Sequence, residues 1–383
     1  IEFALLICEG AGVHPSRSNC MRIAKHLNDN DNGEYNVCEL RKETLIKRER
    51  LSSKAECMDA LLMLGTSSGA PNIERNSSGI GLRFVDGALW LFDCGEGTQH
   101  QFLRFKEAKV SKIQCIFITH LHGDHCLGLG GLLASLSLTR AKKDAARILI
   151  FGPLGIRKYI LSVLQSTFTF ISYHLEIIEL DPTKRHLITL PSKRPGYVLK
   201  AFPLVHSAPC LGYVVEEPPY PLVLDGRKAA QLGARGVQMG QLKSGKDVIL
   251  QDGRVIRYQD VLTQPKTNPK TVVILGDTCD SSSMEGFVQS PDVLVHESTF
   301  ASAQYQHALM ATHSTPEMAA AFAHKIKAKK LVLTHFSSKV NPIVDQLRQE
   351  AEDHYNSLSN QQQNQKILNQ QQNQKNSNQQ QNQ

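Results

Sequence analysis

The chain has 383 residues, 41% of them hydrophobic and 21% charged, with a formal net charge of +7. Its length suits one large domain or two ordinary ones, and its balance is that of a globular protein with a sizeable core. No stretch approaches the roughly 18–20 unbroken apolar residues of a membrane-spanning helix, and the mild positive charge suits a polyanionic partner without identifying one.

Residues 1–58 are weakly patterned and read as an extension ahead of a catalytic domain over 59–345. Within it, LNDNDNGEYN reads as a loop and CELRKETLIKRERL as a charged helical segment. IEFALLI is apolar but short and soon interrupted by Glu9, and a targeting signal is neither read from it nor excluded. From Met58 the character changes. ALLMLGTSSGAP reads as a buried strand ending in a glycine-rich turn. GIGLRFVDGALWLFDCGEG reads as a hairpin, its two strands joined at Asp86-Gly87. Beyond it, short apolar strands (IQCIFI, ARILIFG, HLEIIEL, VLKAFPLV, TVVILG, DVLVHE, KLVLTH) alternate with helical patterns such as IRKYILSVLQST and TPEMAAAFAHKIKA. Several of these strands are apolar without alternation, as strands covered on both faces are. The order is that of an α/β protein whose sheets are buried by helices.

Two segments depart from that texture. Residues 218–265 are rich in Gly, Pro and basic side chains and read as an inserted flexible arm rather than core, with Lys243 and Lys246 among its cations. Residues 346–383 read as a helix end followed by an Asn/Gln-rich tail, too poor in apolar residues to bury a core and expected to be disordered. Nine cysteines are scattered singly without a C-x-x-C pair, which points to reduced thiols in an intracellular, reducing compartment. The cytosol or nucleus fits best, with an organelle left open.

The densest chemistry lies in FITHLHGDHCLGLGGL, where three histidines and an aspartate fall within six residues. His120 follows the strand, and His122 stands two residues on, so in extended chain both imidazoles point to the same side. Asp124 and His125 follow at the turn and are aimed elsewhere. Three further candidates end apolar strands: His206 ends AFPLVH, Asp277 ends VVILGD and His335 ends KLVLTH. Five histidines with carboxylates favour zinc. A two-metal site about 3.5–4 Å across needs a bridging carboxylate, and Asp277 is the natural bridge. His120, His122 and His206 would then hold one zinc, and Asp124, His125 and His335 the other, two ions per chain. Asp93, at a strand end beside the loop, reads as a carboxylate orienting a histidine rather than as a helix cap. FGPLG before a helix offers backbone donors for a phosphate, with simple turn chemistry as the equal alternative. Glu297 and His313 stand where helix capping does not account for the histidine.

These residues resemble ribonuclease Z, the tRNA 3′-processing endoribonuclease of the metallo-β-lactamase superfamily, in its short form. The landmarks are LGTSSGAP, RNSS, LFDCGEGTQHQ, the histidine loop, FGPLGI, GDT, HEST, HSTPEMAAAFA and LVLTHFSS, spread over roughly Leu61 to Lys339. The resemblance implies a four-layered αβ/βα metallo-β-lactamase sandwich with an inserted flexible arm that grips tRNA, two zinc ions, and a homodimer. It implies tRNA precursors as substrate, cut just after the discriminator nucleotide to leave a tRNA 3′-hydroxyl and a trailer 5′-phosphate. Carried over by position, the ligands are those derived above, Asp124 is also a proton acceptor, and His313 supported by Glu297 protonates the leaving oxygen. Arg75, in PNIERN, would contact substrate, although Ile73 stands in that loop where lysine is common. Repair of damaged or phosphorylated tRNA 3′ ends, or thioester hydrolysis of the glyoxalase II type, are the alternatives within the superfamily.

Overall fold

The computed structural model describes residues 2–4, 21–22, 36–38, 57–105, 108–139, 147–190, 196–265 and 268–381. Three short strands come first, β1 (Glu2–Ala4), β2 (Met21–Arg22) and β3 (Asn36–Cys38). The body begins with β4 (Met58–Gly65), β5 (Gly79–Phe84), β6 (Leu89–Phe92), α1 (Thr98–Phe102) and β7 (Ile113–Phe117). Then follow α2 (Gly123–Cys126), α3 (Leu129–Thr139), β8 (Arg147–Pro153), α4 (Ile156–Ser166), β9 (His174–Leu180) and β10 (His186–Thr189). β11 (Val198–Leu204) and β12 (Cys210–Glu216) lead into an excursion made of β13 (Val223–Leu224), α5 (Gly226–Gln231), α6 (Val237–Lys243), β14 (Val248–Ile249), β15 (Val255–Ile256) and β16 (Leu262–Thr263). The chain closes with β17 (Thr271–Ile274), β18 (Val293–Glu297), α7 (Tyr305–Met310), α8 (Pro316–Lys325), β19 (Lys330–Thr334) and α9 (Val344–Gln381).

Two sheets result. A seven-stranded sheet has the order β2-β4-β5-β6-β7-β8-β9, antiparallel through β6 and parallel from β6 to β9. An eight-stranded sheet has the order β1-β19-β18-β17-β12-β11-β10-β3, with β17, β18 and β19 parallel. Period-two packing explains why the strands read as unbroken apolar runs. In β6, Trp90 and Phe92 enter the core between the sheets, while Leu89 and Leu91 face α1, α3 and α4 on the other side. In β19, Val332 points to the inner core, and Leu331 and Leu333 meet α8 and α9. Helices therefore cover the outer face of each sheet, giving the four-layered αβ/βα sandwich. At its centre Phe117 stacks between Phe92 and Phe151, with ring centroids 4.8 and 5.2 Å away. Truncating such a ring to alanine costs about 3–5 kcal/mol. On the outside, α4 buries Ile156, Ile160 and Leu164, a stripe at helical spacing.

The hairpin forms at Asp86-Gly87 as expected, with Gly87 at φ 81°. Further features are not legible in the sequence. β10 and β12 are full members of the second sheet, although the pattern around them does not stand out. Strands of the 1–58 extension pair with the edges of both sheets, β1 on β19, β2 on β4 and β3 on β10. Of the charged segment 38–51, only Cys38 lies among the described residues. The inserted arm gathers a small core of its own, Ala229, Ala234, Leu242, Val248, Leu250, Ile256 and Val261. Gly233, Gly236 and Gly245 take positive φ to turn the chain between its short elements. Finally, the Asn/Gln tail continues α9 to Gln381. Val344, Leu347 and Ala351 anchor the start of that helix in the core beside α8. Glutamine is a good helix former, and Gln365 donates to Asn369 at 3.2 Å in the i,i+4 relation.

Candidate metal centre

The candidate residues lie where strands of the two sheets end on one edge of the sandwich. Asp93 follows β6 and takes a left-handed φ of 56°, its N–H donating to Phe117 O at 2.8 Å. Close backbone approaches seat the loops. A Cβ at Gly95 would lie 2.2 Å from Asp124 O, and one at Gly276 would lie 2.6 Å from both Cys210 Sγ and Thr119 Cβ. Glycine at these two positions lets the β6 turn tuck under α2, and lets the end of β17 carry Asp277 against the histidine loop.

Seven donors converge there. One ligand atom each from His120, His122, His206 and Asp277 lie within 4.8 Å of one another, and the same holds for Asp124, His125 and His335. Asp277 Oδ2 stands between the groups: it is 3.6 Å from His120 Nε2 and 3.9 Å from His206 Nε2, but also 3.4 Å from His125 Nε2 and 3.2 Å from His335 Nε2. His122 turns its Nδ1 to within 3.2 Å of His206 Nε2. Asp124 Oδ2 lies 3.2 Å from His335 Nε2 and accepts the Gly69 N–H at 2.6 Å.

The far side of four of the five rings is spoken for. Asp93 Oδ2 lies 2.7 Å from His125 Nδ1, and Thr119 Oγ1 lies 2.8 Å from that same oxygen and 3.0 Å from His120 Nδ1. Thr299 Oγ1 lies 2.5 Å from Glu297 Oε2 and 2.9 Å from His335 Nδ1. Facing a carboxylate, each hydroxyl must donate to it, and so accepts an Nδ1–H from the imidazole. His206 Nδ1 donates to Thr312 O at 2.9 Å. These contacts fix the tautomers so that His120, His125, His206 and His335 present bare Nε2 atoms inward. His120 Nε2 is buried and has no hydrogen-bond partner. A buried acceptor aimed at other acceptors is costly without a cation, so the donor set fits a pair of metal ions sharing Asp277. Burial pushes the Asp277 carboxyl up, but the imidazoles of His335, His125 and His120 outweigh it and hold the group well below the usual range. Burial likewise raises Asp124, yet the hydrogen bond from His335 and the charge of His125 leave it low. Cys126, beside this loop, is pushed up to about 11 by burial and stays a thiol at neutral pH.

His313 occupies the rim. Its Nδ1 lies 2.8 Å from Glu297 Oε1, its ring centroid 4.9 Å from that of His206, and it stacks on His335 at 5.4 Å. Its Nδ1 is also close enough to group with Asp277 and His335, at 4.0 Å from Asp277 Oδ2, but that nitrogen is committed to Glu297. Glu297 is itself held by the Thr278 N–H at 2.8 Å. Burial lowers the His313 pKa, and the hydrogen bond and charge of Glu297 more than reverse this, so it is raised. Thr315, not Ser314, caps α8, with Pro316 in the first turn.

Two expectations meet a different arrangement. Arg75 does not face the edge where substrate would lie: it is 4% exposed, donates to Thr66 Oγ1 and Asn341 Oδ1 at 2.9 Å each, and lies over the Phe336 ring. It joins the two halves of the sandwich, and a buried guanidinium so engaged is not offered to a ligand. The Gly155 donor of FGPLG is occupied, since Glu179 Oε1 accepts from Gly155 N at 2.7 Å, as it does from the following Arg157 N at 3.2 Å. Lys243 and Lys246 are exposed on the arm. Thr119, Thr278, Thr299 and Thr312 carry no signal of a role in the sequence alone. The repeated Thr-His step, Thr119-His120 and Thr334-His335, hints at such partners but names the wrong hydroxyl for His335.

A two-sheet sandwich with helices outside, gathering imidazoles and carboxylates at one edge, is the architecture of the metallo-β-lactamase class of hydrolases. Residues 90–233 match the beta-lactamase superfamily domain. Zinc phosphodiesterase ELAC protein 1 of Homo sapiens is 38% identical over 318 residues, spanning 73% of this chain and 86% of its own. Ribonuclease BN of Cronobacter sakazakii is 41% identical over 285 residues, spanning 73% and 89%. The crystal structure of human tRNase Z, short form (ELAC1), superposes with a TM-score of 0.54 at 32% identity, over 73% of this chain and 93% of that one. The chain belongs to the ribonuclease Z family. It is a hydrolase, and among the described residues no helix is long and apolar enough to cross a membrane.

Proposed function

We propose that this hydrolase is a zinc-dependent endoribonuclease that removes the 3′ trailer from tRNA precursors, leaving a tRNA 3′-hydroxyl and a trailer 5′-phosphate. The observation that carries this reading is the His313–Glu297 pair, 2.8 Å apart, set beside two donor groups that share Asp277. A thioester hydrolase needs no protonated imidazole poised at a leaving alkoxide, and the relatives named for their activity are ribonucleases and a zinc phosphodiesterase.

His120, His122 and His206 would hold one zinc, Asp124, His125 and His335 the second, and Asp277 both. Two zinc ions, when bound, supply Lewis-acid stabilisation of charge developing on the scissile phosphate. Asp124 stays ionised at neutral pH, so it accepts a hydrogen bond from the attacking water and aligns it. Its low proton affinity suits it to orienting that water more than to retaining the proton. Glu297 holds Nδ1 of His313, leaving Nε2 to deliver a proton to the departing 3′-oxygen. Thr299 ties that pair to His335, so acid and metal ligands keep a fixed spacing. The exposed cations of residues 218–265, Lys243 and Lys246 among them, contact tRNA phosphates away from the centre. A homodimer, placing one protomer's arm over its partner's site, and a cytosolic or nuclear location complete the reading.

The direct experiment is to incubate zinc-loaded protein with a labelled precursor tRNA bearing a 3′ trailer and to map both new ends. A single cut after the discriminator nucleotide, with a 3′-hydroxyl upstream and a 5′-phosphate downstream, is expected. Cleavage inside the tRNA body, or none, overturns the reading.

A further inference from the structure

Both strands of the neck from which the arm projects meet at one buried carboxylate. Glu217 directly follows β12, and Lys270 directly precedes β17. The Glu217 N–H donates to Lys270 O at 2.9 Å, and the Lys270 N–H donates back to Glu217 Oε2 at 3.0 Å. The same oxygen accepts from the hydroxyl of Tyr220, the outgoing strand's next anchor. Glu217 Oε1 accepts the Met58 N–H at 2.5 Å and the Tyr197 hydroxyl at 3.2 Å. Lys270 Nζ completes the ring by donating to Met58 O at 2.7 Å. The carboxylate is 4% exposed and therefore depends on these donors. Tyr197 in turn packs its ring 5.6 Å from both Phe84 and Trp90, in the core between the sheets.

The arm keeps its own core, so it stays folded as a unit and the neck is the joint that decides where it points. We propose that Glu217 is a positioning residue: it locks the joint, fixes the direction of the arm, and thereby sets the affinity for a long RNA substrate that it does not touch. This rests on the reading that the arm grips tRNA.

The chemistry of the joint requires a carboxylate. Each oxygen of Glu217 takes one backbone N–H, from Met58 on one side and Lys270 on the other. A backbone N–H can only donate. Glutamine has the same shape, but whichever way its amide turns, its NH2 faces one of those N–H groups. Glu217→Gln therefore breaks one of the two attachments without emptying the site.

Hydrogen–deuterium exchange of the full chain tests this without any substrate. In E217Q the amides around Met58 and Lys270 should exchange faster, while α5, α6 and the catalytic strands keep their protection. Kinetics supply the second readout. E217Q should raise KM for precursor tRNA about tenfold, the change corresponding to one hydrogen bond to a charged group. It should leave kcat, zinc content and hydrolysis of bis(p-nitrophenyl) phosphate at wild-type levels. A general structural defect would instead lower both activities together, and that outcome overturns the proposal, as does unchanged exchange with unchanged KM. Should E217Q fail to fold, Tyr220→Phe removes one donor from the same carboxylate and is expected to show the same split, more weakly. If wild-type protein does not cleave tRNA, the functional reading fails, and the exchange experiment still decides the role of Glu217 in the joint.

Discussion

The hydroxyl of Thr299 lies 2.9 Å from Nδ1 of His335 while its oxygen stands 2.5 Å from Glu297 Oε2. One rotor thus orients a candidate metal ligand and the carboxylate behind His313. Thr299→Val keeps the shape and removes both bonds. Outer contacts of this kind change metal affinity by about 10–100-fold. The expected result is a loss of that size at one of two zinc sites, read by competition with a chromophoric chelator, and near recovery in Thr299→Ser. Equal zinc affinity in the valine variant would mean that His335 needs no partner at Nδ1.

Asp277 makes a sharper case, because one oxygen lies within 4.0 Å of histidines from both donor groups. Wild-type protein is expected to carry close to two zinc ions per chain by elemental analysis, and chelation should abolish activity. Asp277→Ala should lose metal from both positions and activity with it, since removing a shared carboxylate leaves two cations facing each other. Retention of a full, tight zinc site in that variant would show that the groups bind independently.

Much of this centre is legible in the sequence, and the reason is local. His120, His122, Asp124 and His125 sit on one loop whose spacing sets their geometry, and His206, Asp277 and His335 end strands whose apolar runs are unmistakable. What hides is tertiary. Thr299 touches His335 across 36 positions and Thr312 touches His206 across 106, separations no local pattern encodes. Arg75 misleads for the same reason, because its partner Asn341 lies 266 positions away. The core of the arm is hard to read because it is assembled from short, scattered apolar positions, such as Ala229, Leu242 and Val248, set among many polar ones.

His313 carries a signed pH dependence. Burial lowers its pKa, Glu297 raises it further than that, and the net is above the ordinary 6.5. A general acid raised in this way stays protonated to higher pH, so the alkaline limb of kcat should move to lower pH in Glu297→Gln. The same coupling stabilises the fold fully below the unfolded value and fades as pH rises through the folded one. His313→Ala should keep its zinc and lose turnover on tRNA by roughly 10²–10⁴-fold. On a nitrophenyl diester, whose leaving group needs no proton, the loss should be far smaller. Equal losses on both substrates would remove His313 from the acid role.

Lys243 ends α6 and Lys246 follows the turn after it, both exposed on a folded arm that keeps its own core. Exposed lysines on a small unit are most simply solvated. If they instead meet tRNA phosphates, each neutralised phosphate releases a counterion, and the affinity becomes salt-dependent. Lys243→Gln with Lys246→Gln should weaken tRNA binding at low salt and lower the slope of log affinity against log salt by roughly 0.7–0.9 for each phosphate left without its lysine. If the lysines act only by binding phosphate, kcat at saturating tRNA and hydrolysis of a small diester should hold. Filter binding across a salt series measures the slope directly. A parallel drop in affinity with an unchanged slope would mean that the lysines act by packing, and an unchanged affinity would return them to ordinary surface charge.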